Sequence, residues 1–218
     1  MRREPVVVIT GTSRGIGNFL VKYFIEKGYI VTGCSRSTST IHSKLYSHYT
    51  VDVSDEKRVG QMVSGIYNRF KRIDVAITNA GVASMNHSLL TPGATVDKLF
   101  DINFKGMFYV CRECAKYMKI RNYGRIVNFS SVAVPMNIEG ESIYASSKSA
   151  VVSFSKIFAK EVAPFGITCN VIAPSPIETS LIAGVPKEKI EKIIQNLAIK
   201  RYGTFKDITN VIEFFIKK

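Results

Sequence analysis

The sequence predicts an α/β fold in which helices wind over both faces of one parallel, six-stranded sheet. Three observations lead there: short runs of consecutive apolar residues, helical-period segments between them, and a glycine-rich turn joining the first run to the first helix. Strands buried on both faces read as continuous apolar runs, and parallel strands need crossovers long enough to hold a helix. With 218 residues and 46% hydrophobic content, the chain has material for one substantial core, so residues 1–218 are read as a single domain.

In chain order the apolar runs are Val6 to Ile9, Ile30 to Val31, Val75 to Ile77, Ile126 to Phe129 and Val171 to Ile172, with Tyr49 to Val51 a weaker sixth. Between them, Val59, Met62, Val63, Ile66 and Phe70 follow the helical repeat, as do Val151, Phe154, Ser155, Phe158 and Val162. A last amphipathic helix carries Ile208, Val211, Ile212 and Phe215. Pro and Gly fall between the periodic segments, and no repeat or low-complexity tract interrupts them.

Composition narrows the function classes. No apolar run is long enough to span a bilayer, and Met1-Arg2-Arg3-Glu4-Pro5 leads straight into a strand without the apolar segment of a signal peptide. A cytoplasmic protein without a membrane partner is expected. Four cysteines, Cys34, Cys111, Cys114 and Cys169, make no disulfide-scaffold pattern, and reduced thiols fit better. Cys111 and Cys114 form a CxxC inside a helical segment, with no second Cys or His pair to complete a metal site, so no metal is expected. The net charge of +13 attracts polyanions generally, whether nucleic acid, acidic carrier proteins or phosphorylated small molecules. Part of it clusters at Lys116, Lys119, Arg121 and Arg125. No zinc-finger spacing or RNP-like aromatic motif accompanies the cluster, so a solvated basic face is the plainer reading and nucleic acid is not an expected partner.

Directly after the first strand come Gly11, Ser13, Arg14, Gly15, Ile16 and Gly17, opening the helix that carries Phe19, Leu20, Tyr23 and Phe24. Glycines let backbone approach a pyrophosphate closely, and a helix N-terminus supplies unpaired N–H groups. The GxxxGxG spacing departs from GxGxxG, and a plain strand-to-helix turn stays open at this point. Where the second strand ends, an acidic side chain would bind a ribose 2′-hydroxyl, whereas a basic one accommodates a 2′-phosphate. Gly33 to Lys44 contains no Asp or Glu. Arg36, with Arg14, suits a dianionic phosphate, and Ser35 and Ser37 add donors. NADP(H) rather than NAD(H) is the expected cofactor, with two exposed arginines as the bland alternative.

Tyr144 and Lys148 stand one helical turn apart, so a cation faces a phenol, which favours the phenolate. The same YxxxK spacing recurs at Tyr23 and Lys27, Tyr67 and Lys71, and Tyr202 and Lys206. Context separates one of the four: Ser131 follows the strand ending at Phe129 and precedes Tyr144 across a loop.

Together these motifs resemble the short-chain dehydrogenase/reductase family and, within it, the 3-oxoacyl-carrier-protein reductases. Thr10 to Gly17 match TGxxxGIG, Asn79-Ala80-Gly81 match NAG, and Asn103, Ser131, Tyr144 and Lys148 match the tetrad. The resemblance implies a doubly wound Rossmann fold and an oxidoreductase moving hydride between the nicotinamide and a carbonyl or alcohol carbon. It makes Tyr144 the proton donor and Ser131 the group orienting the carbonyl oxygen. Lys148 would bind the nicotinamide ribose and lower the Tyr144 pKa, while Asn103 would hold a water in the proton relay. Asp52 and Val53 correspond to the adenine contact, Asn79 to Gly81 to the segment packed on the cofactor, and Pro174, Ile177 and Thr179 to the nicotinamide pocket. Bland readings exist for Asp52 and Asn103 as caps and Ser131 as a turn residue.

Three features depart from the family. Ser175 follows Pro174 where glycine is common, Val134 stands near Ser131 where glycine is common, and the sequence stops at Lys218, before the usual seventh strand. Six strands are therefore expected, and a homodimer through the helices containing Asn103 and Tyr144 is expected ahead of a tetramer. The expected substrate is a small or carrier-bound carbonyl, possibilities being a 3-oxoacyl thioester, a small alcohol, a sugar or a secondary metabolite. Its pocket is expected in Val134 to Ile143 and Ser180 to Leu197. A cofactor-sensing regulator without turnover is the reading from another class.

Overall fold

The computed structural model describes residues 4–217. Six strands form one parallel sheet: β1 (Val6–Thr10), β2 (Ile30–Ser35), β3 (Tyr46–Thr50), β4 (Val75–Thr78), β5 (Gly124–Phe129) and β6 (Ile167–Ile172). Their order is β3-β2-β1-β4-β5-β6. The chain winds outward from β1 to β3, then returns to place β4 on the other side of β1. That reversal opens a crevice at the carboxyl ends of β1 and β4, where open α/β sheets hold their ligands.

The helices are α1 (Gly15–Glu26), α2 (Glu56–Phe70), α3 (Gly93–Phe100), α4 (Gly106–Ile120), α5 (Ala133–Met136), α6 (Ser142–Val162), α7 (Lys187–Gln195) and α8 (Phe205–Ile216). Side chains alternate across a strand, so Val7 and Ile9 pack with Leu20, Phe24, Ile208 and Ile212 of α1 and α8. Val6 and Val8 face the opposite layer, with Met62, Val110 and Val151 of α2, α4 and α6. Both faces are covered, which is why Val6 to Ile9 could be wholly apolar. Asp74 pins one end of the sheet. Its buried carboxylate accepts from the Val6 N–H at 2.8 Å and pairs with Arg72 and Arg121, giving the charge the partners that burial demands.

Two strands differ from expectation. β3 occupies Tyr46–Thr50 rather than Tyr49 to Val51, because this edge strand is built from half-buried polar and aromatic residues that make no apolar run. β6 begins at Ile167 rather than Val171, its exposed Thr168 breaking the apolar signal. The segment expected as one long helix around Asn103 contains a π-helical turn, Asp101–Lys105, between α3 and α4.

Candidate active site

The turn after β1 is shaped by Gly11 at φ +74° and Gly15 at φ +56°, values that favour glycine. A Cβ on Gly17 would lie 2.2 Å from the Gly11 carbonyl oxygen. Gly17 is not among the residues lining the cleft, and its missing Cβ lets α1 close onto the loop. Asn79 Nδ2 donates to the carbonyls of Thr10 and Gly11 at 3.0 and 3.3 Å, and the Ala80 N–H donates to Thr10 Oγ1 at 3.0 Å. The loops after β1 and β4 are thereby tied at the crevice.

That crevice is a cleft of about 570 Å³. Gly11, Ser13, Arg14, Gly15 and Ile16 line it from the first loop, Ser35, Arg36 and Ser37 from the end of β2, and Asp52 and Val53 after β3. Asn79, Ala80, Gly81 and Thr179 complete it. Asp52 Oδ1 accepts from the N–H and hydroxyl of Ser54 at 3.0 and 2.8 Å, so it shapes its own turn as well as facing the cleft. No ion pair engages Arg14 or Arg36 among the described residues.

The cleft continues into a smaller cavity of about 140 Å³ through shared walls at Ile16, Asn79, Gly81 and Thr179. Ser131, Tyr144, Lys148, Pro174 and Ile177 meet there. The Ser131 side chain stands close enough to the Tyr144 hydroxyl to act on its ionisation. Lys148 Nζ donates to the Phe129 carbonyl at 2.9 Å, which leaves an ammonium's two further donors free of protein partners among the described residues. A Cβ on Gly81 would stand 3.2 Å from Asn103 Oδ1 and 3.4 Å from Lys148 Nζ; the bare glycine keeps that approach open.

The electrostatics correct one expectation. Burial pushes the Tyr144 phenol above its ordinary value, with the Ser131 hydrogen bond acting downward and the Glu141 charge upward; Lys148 is not among the causes. Burial also brings the Lys148 ammonium down to about 8. A buried cation that easily loses its charge is a weak lever on a neighbouring phenol.

Asn103 lies in the π turn and is buried. Its Oδ1 accepts from the Val82 N–H at 2.9 Å, and its Nδ2 donates to the Val82 carbonyl at 2.9 Å and to Ser147 Oγ at 3.0 Å. The side chain clamps the strand-end loop to α6, which leaves one Oδ1 lone pair, rather than a donor, for the water-holding role expected of it.

Val82, Met85, Ile138, Leu181, Ile182, Val185, Ile190 and Ile193 give the smaller cavity apolar walls, drawn largely from the two segments expected to form the pocket. Val134 lies outside it. Ser175 lines it without positive φ, since the described non-glycine residues of that kind are Lys71, Asn122 and Asn137. One wall residue inside an expected pocket segment was not singled out by the sequence reading: Glu141, whose carboxyl burial raises above the ordinary range. Its spacing three residues before Tyr144, one helical turn, was the available signal.

The basic cluster is engaged elsewhere in the fold. Lys116 pairs with Glu113 and Arg121 with Asp74, while Lys119 and Arg125 lie over the rings of Phe165 and Tyr123. All four cysteines are free and buried. No helix among the described residues is long and apolar enough to cross a membrane, and no group of three or more His, Cys, Asp or Glu is arranged to hold a metal ion there.

A family model described as short chain dehydrogenase matches residues 5–190. The chain is 30% identical over 217 residues to the 3-oxoacyl-[acyl-carrier-protein] reductase FabG of Haemophilus influenzae, covering 96% of this chain and 89% of that protein. It is 30% identical over 224 residues to the FabG of Thermotoga maritima, covering 98% and 91%. Among solved structures, ElxO with NADP bound matches with a TM-score of 0.90 at 27% identity, covering 99% of this chain and 92% of that one. Levodione reductase matches with a TM-score of 0.90 at 29% identity and the same coverage. Fold and relatives agree: the chain belongs to the short-chain dehydrogenase family, oxidoreductases acting between CH–OH and C=O.

Proposed function

We propose that residues 1–218 form one catalytic domain, an NADP(H)-dependent carbonyl reductase of the cytoplasm whose substrate class includes 3-oxoacyl thioesters. The observation that carries the catalytic reading is the convergence of Ser131, Tyr144 and Lys148 on an apolar cavity that opens into the dinucleotide-sized cleft. The residues fit the cofactor: a glycine loop leads into a helix N-terminus, bare Gly81 lies beside Lys148, and two Lys148 donors are unused. Two guanidinium groups without ion pairs and no acid between Gly33 and Lys44 support the phosphorylated form. The FabG relatives support the thioester.

Bound NADPH supplies the hydride. Ser131 donates its hydroxyl proton in a hydrogen bond to the carbonyl oxygen and orients it beside the Tyr144 hydroxyl, which delivers the proton as that oxygen becomes an alcohol. A phenol held protonated by burial suits this direction. Lys148 is positioned to hold the nicotinamide ribose with its two unused N–H donors, and Asn103 keeps α6 in register with the loop after β4. The apolar walls exclude water from the reacting atoms.

Assays with NADPH and carbonyl substrates, a carrier-bound 3-oxoacyl chain included, test the reading. Tyr144→Phe is expected to lower turnover by about 10²- to 10⁴-fold and leave NADPH binding nearly intact; wild-type turnover in that variant overturns the assignment. Arg36→Asp is expected to weaken NADPH far more than NADH, by like-charge repulsion, and equal kcat/KM for the two cofactors in the unmutated protein refutes the preference. A homodimer packed through α4 and α6 belongs to the same proposal, supported by half-buried Phe108 and Phe154 beside exposed Ile157. Light scattering that returned a monomer would refute it.

A further inference from the structure

We propose that His48 is a positioning residue for the cofactor's 2′-phosphate: it fixes the Ser35–Ser37 turn that aims Arg36, so that selectivity for NADPH over NADH passes through an edge strand that does not line the cleft. The inference rests on the NADP(H) reading above and asks which part of the fold enforces it.

Tyr46 and His48 alternate onto one face of β3, with His48 opposite Gly33 of β2. A Cβ on Gly33 would lie 2.6 Å from the Tyr46 hydroxyl and 2.9 Å from Thr12 Oγ1, so glycine opens the space in which these groups meet. The Tyr46 hydroxyl stands 3.2 Å from Thr12 Oγ1 and 2.9 Å from His48 Nδ1. On the far side of the ring, His48 Nε2 lies 2.8 Å from the Ser37 carbonyl oxygen. A carbonyl only accepts, so Nε2 carries the proton. Ser35 Oγ donates to the same carbonyl at 2.8 Å.

The result is a continuous polar chain from Thr12, buried in the glycine loop, to the turn that follows β2. It crosses beneath Arg36, whose side chain is exposed and makes no hydrogen bond or ion pair with the described residues. With nothing gripping the guanidinium, its direction is set by its own backbone, and that backbone is held where Ser35 and His48 converge on the Ser37 carbonyl. Ser13, Arg14 and the glycine loop approach the cleft from the β1 side and meet this clamp at Thr12 alone, which the Cys34 carbonyl also holds through its N–H and its hydroxyl at 3.2 and 3.3 Å. Loss of His48 should therefore loosen the backbone from which Arg36 reaches the 2′-phosphate while sparing the pyrophosphate and adenine, because more of the chain must then lose its freedom at the moment of binding.

The test compares 2′,5′-ADP with ADP by calorimetry on the whole protein, a readout independent of turnover. Wild type is expected to favour 2′,5′-ADP. His48→Phe should reduce that preference about tenfold, the size of one charge-assisted hydrogen bond, and His48→Gln should restore most of it, since an amide can both donate to the Ser37 carbonyl and accept from Tyr46. Rescue of that kind is not expected of a residue that merely fills space. Tyr46→Phe removes one hydroxyl and keeps the ring, so it carries the test if His48→Phe does not fold; its preference should fall several-fold. An unchanged preference in the folded variants overturns the inference and leaves the NADP(H) reading standing. No preference in the wild-type protein overturns both.

Discussion

Asn103 and Ser147 are hydrogen-bonded across 44 residues of chain, Nδ2 to Oγ at 3.0 Å, and Ser147 passes the link on by donating to the Tyr144 carbonyl at 2.7 Å. The π turn that carries Asn103 is thus coupled to the backbone of Tyr144, the proposed proton donor. π-helical turns recur at functional sites because they displace one side chain from helical register, and here the displaced side chain spans a loop and a helix at once.

Replacing Asn103 with Leu leaves the Val82 N–H, the Val82 carbonyl and Ser147 without their partner. A loss of roughly 3 kcal/mol is expected from unsatisfied buried groups, together with a larger loss of carbonyl turnover than of NADPH affinity. Urea unfolding at pH 7 measures the first part. A change below about 1 kcal/mol would mean that the clamp contributes little.

Glu141 raises the Tyr144 pKa through its charge. Glu141→Gln removes that cause, so the phenol should ionise at lower pH. Reduction needs the protonated phenol, and the alkaline fall in kcat/KM for NADPH-dependent reduction is expected to begin earlier. Coincident pH profiles for the two proteins would show that Glu141 carries no charge that Tyr144 feels.

Lys148 links stability to pH with a definite sign. Its ammonium falls from 10.5 to about 8 on folding, so the unfolded chain binds more protons between those values and this group's contribution to stability rises with pH across them. Below pH 8 the cost of its buried charge is complete, on the order of 3 kcal/mol. Lys148→Met should therefore be most stabilising below pH 8, with the advantage fading towards pH 10.5. The comparison is made between the two proteins because the buried thiols act oppositely: their raised pKa values make stability fall as pH climbs past 9. A pH-independent difference in unfolding midpoint would contradict the argument.

The thiols themselves offer a simple check. Burial pushes Cys34 and Cys169 up to about 12 and also raises Cys111 and Cys114 well above the ordinary thiol range, so thiolate is scarce and access closed. At pH 8 the native protein should leave all four cysteines unmodified by a thiol-specific disulfide reagent over minutes, with all four reacting in guanidinium. Rapid labelling of Cys34, the one beside the cofactor cleft, would show that the cleft breathes.

What the amino-acid sequence alone determined is whatever neighbours in the chain can express. Val6 to Ile9 followed by Gly11, Gly15 and Gly17 specify a buried strand, a turn and a helix start within a dozen residues, and Tyr144 and Lys148 share a helix face by spacing alone. β5, α2 and α6 were readable for the same reason, since period and burial are local signals. Tertiary structure decided what depends on partners distant in sequence. β3 became a strand through pairing with β2, although Tyr46–Thr50 has no apolar run. Gly17 gained a packing role because the Gly11 carbonyl sits where its Cβ would go. Glu141 entered the site because, as the residue just before α6, it reaches the cavity beside Tyr144. The protonation of Tyr144 and Lys148, finally, follows from desolvation, a property of the surrounding packed atoms that no spacing of residues along a chain encodes.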